Sequence, residues 1–194
     1  MNFSDIPFNM KFHFDDDLRE VPISKGDMIK GINFIKESLS YVQTEGEKAK
    51  LYGLIGVYSR IVQQLDESKR YLDLAVKINE SHQNDRARFV NELRLAHTHQ
   101  WMKNFTVSNK IFNRLVNQAL ENDNYKTTYL DFVYQHAGKN FFDQGKYHSA
   151  LTYFEEALEI RMRKDNQELI DSTTYAIRVC EKRMVCDGSS VNHG

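Results

Sequence analysis

Apolar and small side chains recur every three or four residues along most of the chain, and this spacing places them on one side of an α-helix. In the clearest stretch small residues alternate with rings: Tyr134, Ala137, Gly138, Phe141, Tyr147, Ala150, Phe154 and Ala157. The same periodicity predicts helices at residues 25–44, 47–64, 66–81, 85–102, 105–122, 124–144, 147–164 and 167–185.

The N-terminal segment follows a different pattern. Phe8, Met10, Phe12 and Phe14 alternate with polar residues, and a period of two predicts an extended strand with one apolar face. We therefore interpret residues 1–24 as an extended arm. Either the arm covers the exposed side of the first helix, which is the favoured interpretation, or it occupies a ligand groove and is displaced by the ligand.

The C-terminal segment ends on a polar helix. The predicted helix at residues 167–185 carries Arg178, Glu181 and Arg183 on one side. Terminal repeats need such a polar outer face to remain in solution, so we interpret this segment as a capping helix. Residues 187–194 are predicted to form a flexible tail.

The helical pattern repeats at nearly constant intervals. Gly138 has counterparts at Ala96 and Gly56, so the steps between equivalent positions are 42 and 40 residues. A small residue here lets a neighbouring helix approach, and a bulky side chain one turn along fills the remaining space. One helix pair cannot bury its apolar face alone, whereas stacked pairs can. The sequence thus predicts a repeat domain over residues 25–186, with a half repeat and three full repeats at residues 25–44, 49–82, 89–122 and 131–164.

The copy at residues 131–164 resembles the tetratricopeptide repeat (TPR). The matching residues are Tyr134, Ala137, Gly138 and Phe141 in the first helix and Ala150, Phe154 and Ala157 in the second. The resemblance implies an all-α fold, an α-solenoid of stacked antiparallel helix hairpins that forms a TPR-like superhelix of about eight helices. Similar long-period repeats occur in bacterial cytoplasmic regulators that respond to short signalling peptides, and in kinesin light chains.

The resemblance also implies a non-catalytic protein–protein interaction module. In this family the first helices line a concave groove, which would bind a peptide or a segment of a partner protein. The positions carried over to this groove are Val57, Arg60, His97, Gln100, Trp101, Gln135, Lys139, Phe142 and Asp143. Trp101 and Phe142 would anchor an apolar residue, while the amide side chains would contact the backbone of the peptide.

Several of these positions have a second interpretation. Arg60 and Lys139 would be solvated surface residues. Trp101 would pack between hairpins, and Phe142 would enter the core instead of Phe141. The family's clamp for a C-terminal carboxylate is not supported, because only Lys139 is cationic among the matching positions. The alternative function is a peptide-responsive bacterial signalling regulator whose curvature changes on ligand binding.

The charge balance narrows the class of partner. The 26 basic residues nearly cancel the 27 acidic ones, so no net charge draws the chain to nucleic acid or to an anionic membrane. The sequence contains no apolar run of membrane-spanning length. The two cysteines, Cys180 and Cys186, are predicted to be unbridged, and the N-terminus lacks a secretory signal. These features predict a cytoplasmic protein whose partner is another protein or peptide, with a homodimer left open.

The candidate chemistry argues against an enzyme. His97 and His99 are two residues apart on a predicted helix, so they do not share a face and do not form a metal site. The nucleotide-binding and hydrolase motifs are missing from the sequence. No cofactor, no metal and no catalytic residue is therefore predicted. The remaining enzymatic alternative would use His97 and Asp143 across the groove.

Overall fold

The computed structural model describes residues 5–190, and for residues 187–190 it describes the backbone alone. The described helices are α1 Lys25–Ser38, α2 Glu45–Ile61, α3 Leu65–Ser81, α4 Asp85–Trp101, α5 Phe105–Glu121, α6 Asp123–Phe142, α7 Tyr147–Arg163 and α8 Gln167–Ser190. Two short strands, β1 Phe12–Phe14 and β2 Glu20–Pro22, precede them. The predicted all-α class of about eight helices is confirmed.

The residues form two compact units. Unit 1 contains the described residues up to Met102 except Asp16–Leu18, and so holds the arm and helices α1 to α4. Unit 2 contains Asp16–Leu18 and the described residues from Lys103 onward, with helices α5 to α8. Within each unit, consecutive helices pack against one another across short turns, as expected for antiparallel hairpins.

Capping side chains and residues with positive φ mark many of the helix ends. The side chains of Ser24, Thr44, Asn84 and Asn122 each accept a hydrogen bond from a backbone N–H three residues along and so cap α1, α2, α4 and α6. Most turns after a helix contain one residue with positive φ, namely Gln63, Gln83, Lys103, Gly145 and Asp165. This left-handed residue stops the helix and reverses the chain within a few residues.

Two helix ends differ from the prediction by five residues or more. The first helix ends at Ser38 instead of residue 44. Here the hydroxyl groups of Ser38 and Ser40 donate to the carbonyl oxygens of Phe34 and Glu37, and the backbone tightens into shorter-range hydrogen bonds. The last helix continues to Ser190, through part of the segment where a tail was predicted. Residues 191–194 of that predicted tail lie outside the described residues.

Small residues fit against bulky ones in the hairpins, as the repeat pattern predicted. In unit 1, a Cβ atom on Gly56 would overlap with the side chain of Leu72. Ala96, the equivalent residue of the next first helix, is fully buried. In unit 2, a Cβ atom on Gly138 would lie 2.6 Å from the ring of Phe154. These close contacts bring the two helices of each hairpin together.

The arm covers the side of α1 that has no preceding helix. Ile6 and Met10 join one hydrophobic core with the α1 residues Met28 and Ile32, and the side chain of Met10 packs over Gly31. Met10 thus takes the place that a partner helix would occupy against a small residue. Ile6 and Met10 are both less than 9% exposed, so this part of the arm is firmly packed.

The arm is a β-hairpin and not a single strand. Strands β1 and β2 pair antiparallel, with His13 opposite Val21. Phe12 is 41% exposed, so the predicted apolar face is buried at its start and open to solvent further along. None of the described helices combines the length and apolar character needed to cross a membrane.

Candidate functional site

A buried ion pair in unit 1 joins the arm to a repeat helix. Arg60, in the last turn of α2, donates from Nη1 to Oε2 of Glu20 at 2.8 Å and from Nη2 to Oε1 at 3.4 Å. Glu20 is the first residue of β2. The two residues are 4% and 6% exposed. A guanidinium that faces a carboxylate with two parallel hydrogen bonds is among the strongest polar contacts in proteins.

His97 on α4 completes the polar contacts of Arg60. Its Nε2 accepts a hydrogen bond from the indole N–H of Trp101 at 3.1 Å and lies 3.4 Å from Nη1 of Arg60. Indole and guanidinium nitrogens can only donate, so Nε2 must be the acceptor and the ring proton lies on Nδ1. His97 therefore contributes a neutral acceptor and leaves Glu20 as the negative group in contact with Arg60.

Trp101 is in contact with two cations. The guanidinium carbons of Arg19 and Arg60 lie 4.9 Å and 4.8 Å from the centroid of its ring. Both distances allow a cation–π attraction, which is stronger at this site because the ring is 6% exposed. The arm thus places two neighbouring residues, Arg19 and Glu20, on side chains from α2 and α4.

A further guanidinium adds positive potential to unit 1. Burial lowers the pKa of Arg94, and the nearby charge of Arg60 lowers it further, against the opposing effect of Tyr58. Burial also raises the pKa of Tyr58 to about 12, which keeps this hydroxyl neutral at physiological pH. Arg94 donates to the side-chain oxygen of Asn91 at 3.1 Å. The surroundings of Arg60 therefore favour an anionic group.

Unit 2 contains a second buried ion pair, within its helices. Asp131 on α6 is fully buried and accepts from Nε of Arg161 on α7 at 3.1 Å. Arg161 also donates to the side-chain oxygens of Gln135 and Thr173, and Lys164 pairs with the second oxygen of Asp131. Burial lowers the pKa of Arg161, while Asp131 opposes that shift. The cluster connects α6, α7 and α8.

Comparison with known proteins agrees with this architecture. Residues 133–161, in α6 and α7, match the tetratricopeptide repeat family model. A Rap protein, solved in complex with the competence and sporulation factor, has a TM-score of 0.70 and 20% sequence identity, and the match covers 86% of this chain. Residues 133–161 are therefore similar to a tetratricopeptide repeat, and the fold of the chain is similar to that of the Rap protein.

The similarity to solved structures is partial in length and low in sequence identity. The chain spans 47% of the Rap protein, which is about half of its length. BtubC (BKLC) from P. vanneervenii has a TM-score of 0.61 and 15% identity, with 88% of this chain and 77% of that chain covered. Comparison with the sequences of curated proteins found no match.

By the repeat boundaries predicted from the sequence, α2, α4 and α6 are the first helices of the repeats, and α3, α5 and α7 are the second helices. The structure brings three predicted groove residues of unit 1 together: Arg60, His97 and Trp101. Gln100 is also buried, and Val57 is half-buried against the core of the unit. The interpretation of Arg60 as a solvated residue is therefore wrong, because Glu20 and the Trp101 ring cover it.

The predicted residues of unit 2 are placed differently. Gln135 accepts from Arg161 and thus belongs to the buried ion pair. Lys139 is 4% exposed, so it is not a solvated surface residue either. Phe142 is buried in the core with Phe154, whereas Phe141 is partly buried, packs against that core and stacks on the ring of Tyr153. The other predicted residue, Asp143, is half-buried at the end of α6.

Sequence reasoning missed several charged residues of these clusters. Asp131 lies seven residues before Gly138, and Arg161 lies four residues after Ala157, so both lie on packing faces, where a charge indicates a buried pair. That signal was present in the sequence. Arg19 and Glu20 follow a run of acidic residues in the arm and show no periodicity, so no pattern in the chain indicated that they lie near α2 or α4.

The histidines of α4 do not form part of a metal cluster. Among the side chains that the structure describes, residues 5–186, no three of His, Cys, Asp or Glu come close enough together to hold an ion. His97 is in contact with Trp101 and Arg60, and burial lowers the pKa of His99, with a smaller contribution from the charge of Lys69. Burial of His99 therefore favours the neutral form of that imidazole.

Proposed function

We propose that the chain is a non-catalytic interaction module that binds a peptide or an extended segment of a partner protein on the first-helix faces of its repeats. One observation carries this proposal. In unit 1 an extended segment, β2, already places its side chain Glu20 on Arg60 of one first helix, next to His97 and Trp101 of the next. Because this face binds an extended strand of the same chain, its side chains are also suited to bind an extended segment of a partner.

The composition of this face supports the proposal. Trp101 offers a large, rigid surface together with an N–H donor, and Arg60 offers a planar set of donors; both residue types are enriched among the residues that dominate binding energy at interfaces. Binding through Trp101 and Arg60 does not require either residue to act in catalysis. The fold is of a type that serves as an interaction scaffold, and helical repeats present such extended surfaces through their regular stacking.

Selection of peptides on the full chain tests this function. A random linear peptide library is selected on the immobilised protein, and the affinity of the best peptide is measured by the fluorescence of Trp101, the single tryptophan of the chain. We expect Val57→Ala and Trp101→Phe, the latter measured by calorimetry, to weaken binding by about tenfold or more.

The matched control lies on the second helices. Lys77 on α3 and Glu156 on α7 are exposed, so Lys77→Ala and Glu156→Ala should leave the affinity unchanged within about twofold. The proposal is wrong if no peptide is enriched, or if the second-helix variants weaken binding and the first-helix variants do not.

A second candidate is a regulator that responds to such a ligand. It is favoured by one observation, the similarity of this fold to a Rap protein found in complex with the competence and sporulation factor. Hydrogen exchange of the full chain with and without the selected peptide distinguishes a regulator from a simple binding module. A regulator should show altered exchange in helices that do not touch the peptide, whereas a simple binding module should show protection at the binding site alone.

A further inference from the structure

We propose that the Arg60 guanidinium, together with Trp101, is a binding site for the acidic side chain of an extended partner segment, and that Glu20 is the resident carboxylate which this segment replaces. This inference rests on the proposed function and names the chemistry of the ligand. It also assigns the arm a role as an internal competitor.

The geometry around Arg60 selects a carboxylate. The guanidinium presents Nη1 and Nη2 to the two oxygens of Glu20, which is the paired arrangement that carboxylates accept and that a single amide oxygen satisfies only in part. The buried Nε atom of Arg60 has no hydrogen-bond partner among the described residues. An acidic group that approaches Arg60 from another direction than Glu20 can therefore accept a hydrogen bond from Nε, which Glu20 does not use.

The electrostatics around Arg60 make a site without an anion unfavourable. Arg60 is 4% exposed, and His97 supplies a neutral acceptor, so removal of Glu20 would leave a buried cation without a counter-charge. Such a charge is strongly unfavourable. Two further guanidinium groups, Arg19 and Arg94, lie in the same unit close to Trp101 and Arg60. Release of Glu20 is favourable only when another anion takes its place, which makes binding an exchange.

The segment that carries Glu20 is suited to exchange. It belongs to a pair of three-residue strands, and an isolated two-stranded sheet of this length is marginally stable in water. The segment is anchored at three places, because Ile6 and Met10 pack on α1, Leu18 is buried in the core that contains Phe154, and Ser24 caps α1. A tethered group of this kind has a high effective concentration and lowers the apparent affinity of any competitor.

The test uses the full chain and a synthetic peptide of residues 18–24, Leu-Arg-Glu-Val-Pro-Ile-Ser, with blocked termini. The peptide lacks tryptophan, so Trp101 reports its binding. The Glu20→Gln chain should bind this peptide at least about tenfold more tightly than the unmodified chain, because the internal carboxylate no longer competes. The same peptide with Gln in place of Glu should bind that variant about tenfold more weakly.

The matched control is Glu37→Gln, an exposed acid of α1 outside the site, which should bind the peptide like the unmodified chain. Equal affinity of the Glu20→Gln chain for the Glu and Gln peptides would overturn the proposal. So would equal affinity of the Glu20→Gln chain and the unmodified chain for the Glu peptide.

Hydrogen exchange on the unmodified chain gives a second measurement, independent of whether Glu20→Gln folds. Saturation with the Glu peptide should accelerate exchange of the Val21 and Ile23 amides, and the Gln peptide should not. Unchanged exchange at saturation would refute the displacement of Glu20.

Different results would refute this inference and the proposed function. Library peptides that bind the first-helix face without an acidic residue would retain the function and reject the carboxylate site, whereas a library that yields no peptide rejects the function itself.

Discussion

Each unit buries an arginine, and the two arginines obtain their counter-charges from different sources. In unit 2, Arg161 pairs with Asp131, and both residues belong to helices of one repeat hairpin. In unit 1, Arg60 pairs with Glu20, which lies in a three-residue strand outside the repeats. The burial is nearly equal, since all four residues are at most 6% exposed.

This comparison shows that burial alone does not determine whether a charge pair is structural or exchangeable. Asp131 cannot leave Arg161 unless α6 and α7 separate, so that pair is part of the packing of the hairpin. Glu20 can leave Arg60 when a short strand moves, and the helices that carry Arg60 and His97 remain packed. We therefore interpret the first pair as structural and the second as exchangeable, and the following experiments test that contrast.

The largest expected effect is the loss of Asp131. Asp131→Ala should lower the free energy of unfolding by about 3–5 kcal/mol, because Arg161 would remain buried without a counter-charge. Glu20→Ala should cost less, about 1–3 kcal/mol, because the arm can move aside and let water reach Arg60. Urea denaturation followed by far-UV circular dichroism measures both. Equal costs, or a greater cost at Glu20, would contradict the distinction between the two pairs.

The next effect tests the close contact inside a repeat hairpin. In unit 2, Gly138→Ala should cost about 1–3 kcal/mol, because the added Cβ would lie too close to the ring of Phe154 and force it to move. In unit 1, Gly46→Ala is the control, since the same atom would meet nothing within 4 Å in the first turn of α2. It should stabilise the helix by up to about 1 kcal/mol. The melting temperature should therefore fall in Gly138→Ala and rise in Gly46→Ala.

A smaller effect is expected at the turns between helices. Gly145, with φ of +70°, and Gln83, with φ of +55°, follow helices in units 2 and 1 respectively. Gly145→Ala should destabilise the chain by about 1 kcal/mol, because an L-residue in this conformation is strained. Gln83→Gly should stabilise it by less than that, because glycine also gains freedom in the unfolded chain. A loss of stability in Gln83→Gly would indicate that its side chain has a role in the fold.

The smallest effect concerns pH and is confined to unit 1. Burial lowers the pKa of His99 below its ordinary value of 6.5. As the pH falls through that value, the unfolded chain binds a proton before the folded chain does. His99 therefore stabilises the fold above about pH 6.5, and this contribution is lost at lower pH. Urea midpoints at about pH 7.5 and pH 5.5 should differ less in His99→Gln than in the unmodified chain; an unchanged difference would exclude His99 as the cause.

Much of the helical framework could be predicted from periodicity, because each helix must present its apolar side to a neighbour. The starts of all the described helices except α2 agree with the prediction to within one residue. The end of α1 was missed because serine side chains compete locally for backbone carbonyl groups, which the apolar pattern does not record. The burial of Arg60 and Lys139 was missed for a related reason: residue type predicts exposure only on average.

The amino-acid sequence by itself determined the repeat, since the spacing of Gly56, Ala96 and Gly138 follows from helix geometry and from the room that a missing side chain leaves. Only the tertiary structure decided which carboxylate meets Arg60. Glu20 lies 40 residues away in a segment without helical periodicity, and its position depends on how Ile6 and Met10 pack against α1. Contacts of that kind follow from the packing of the whole unit, and no local pattern in the chain encodes them.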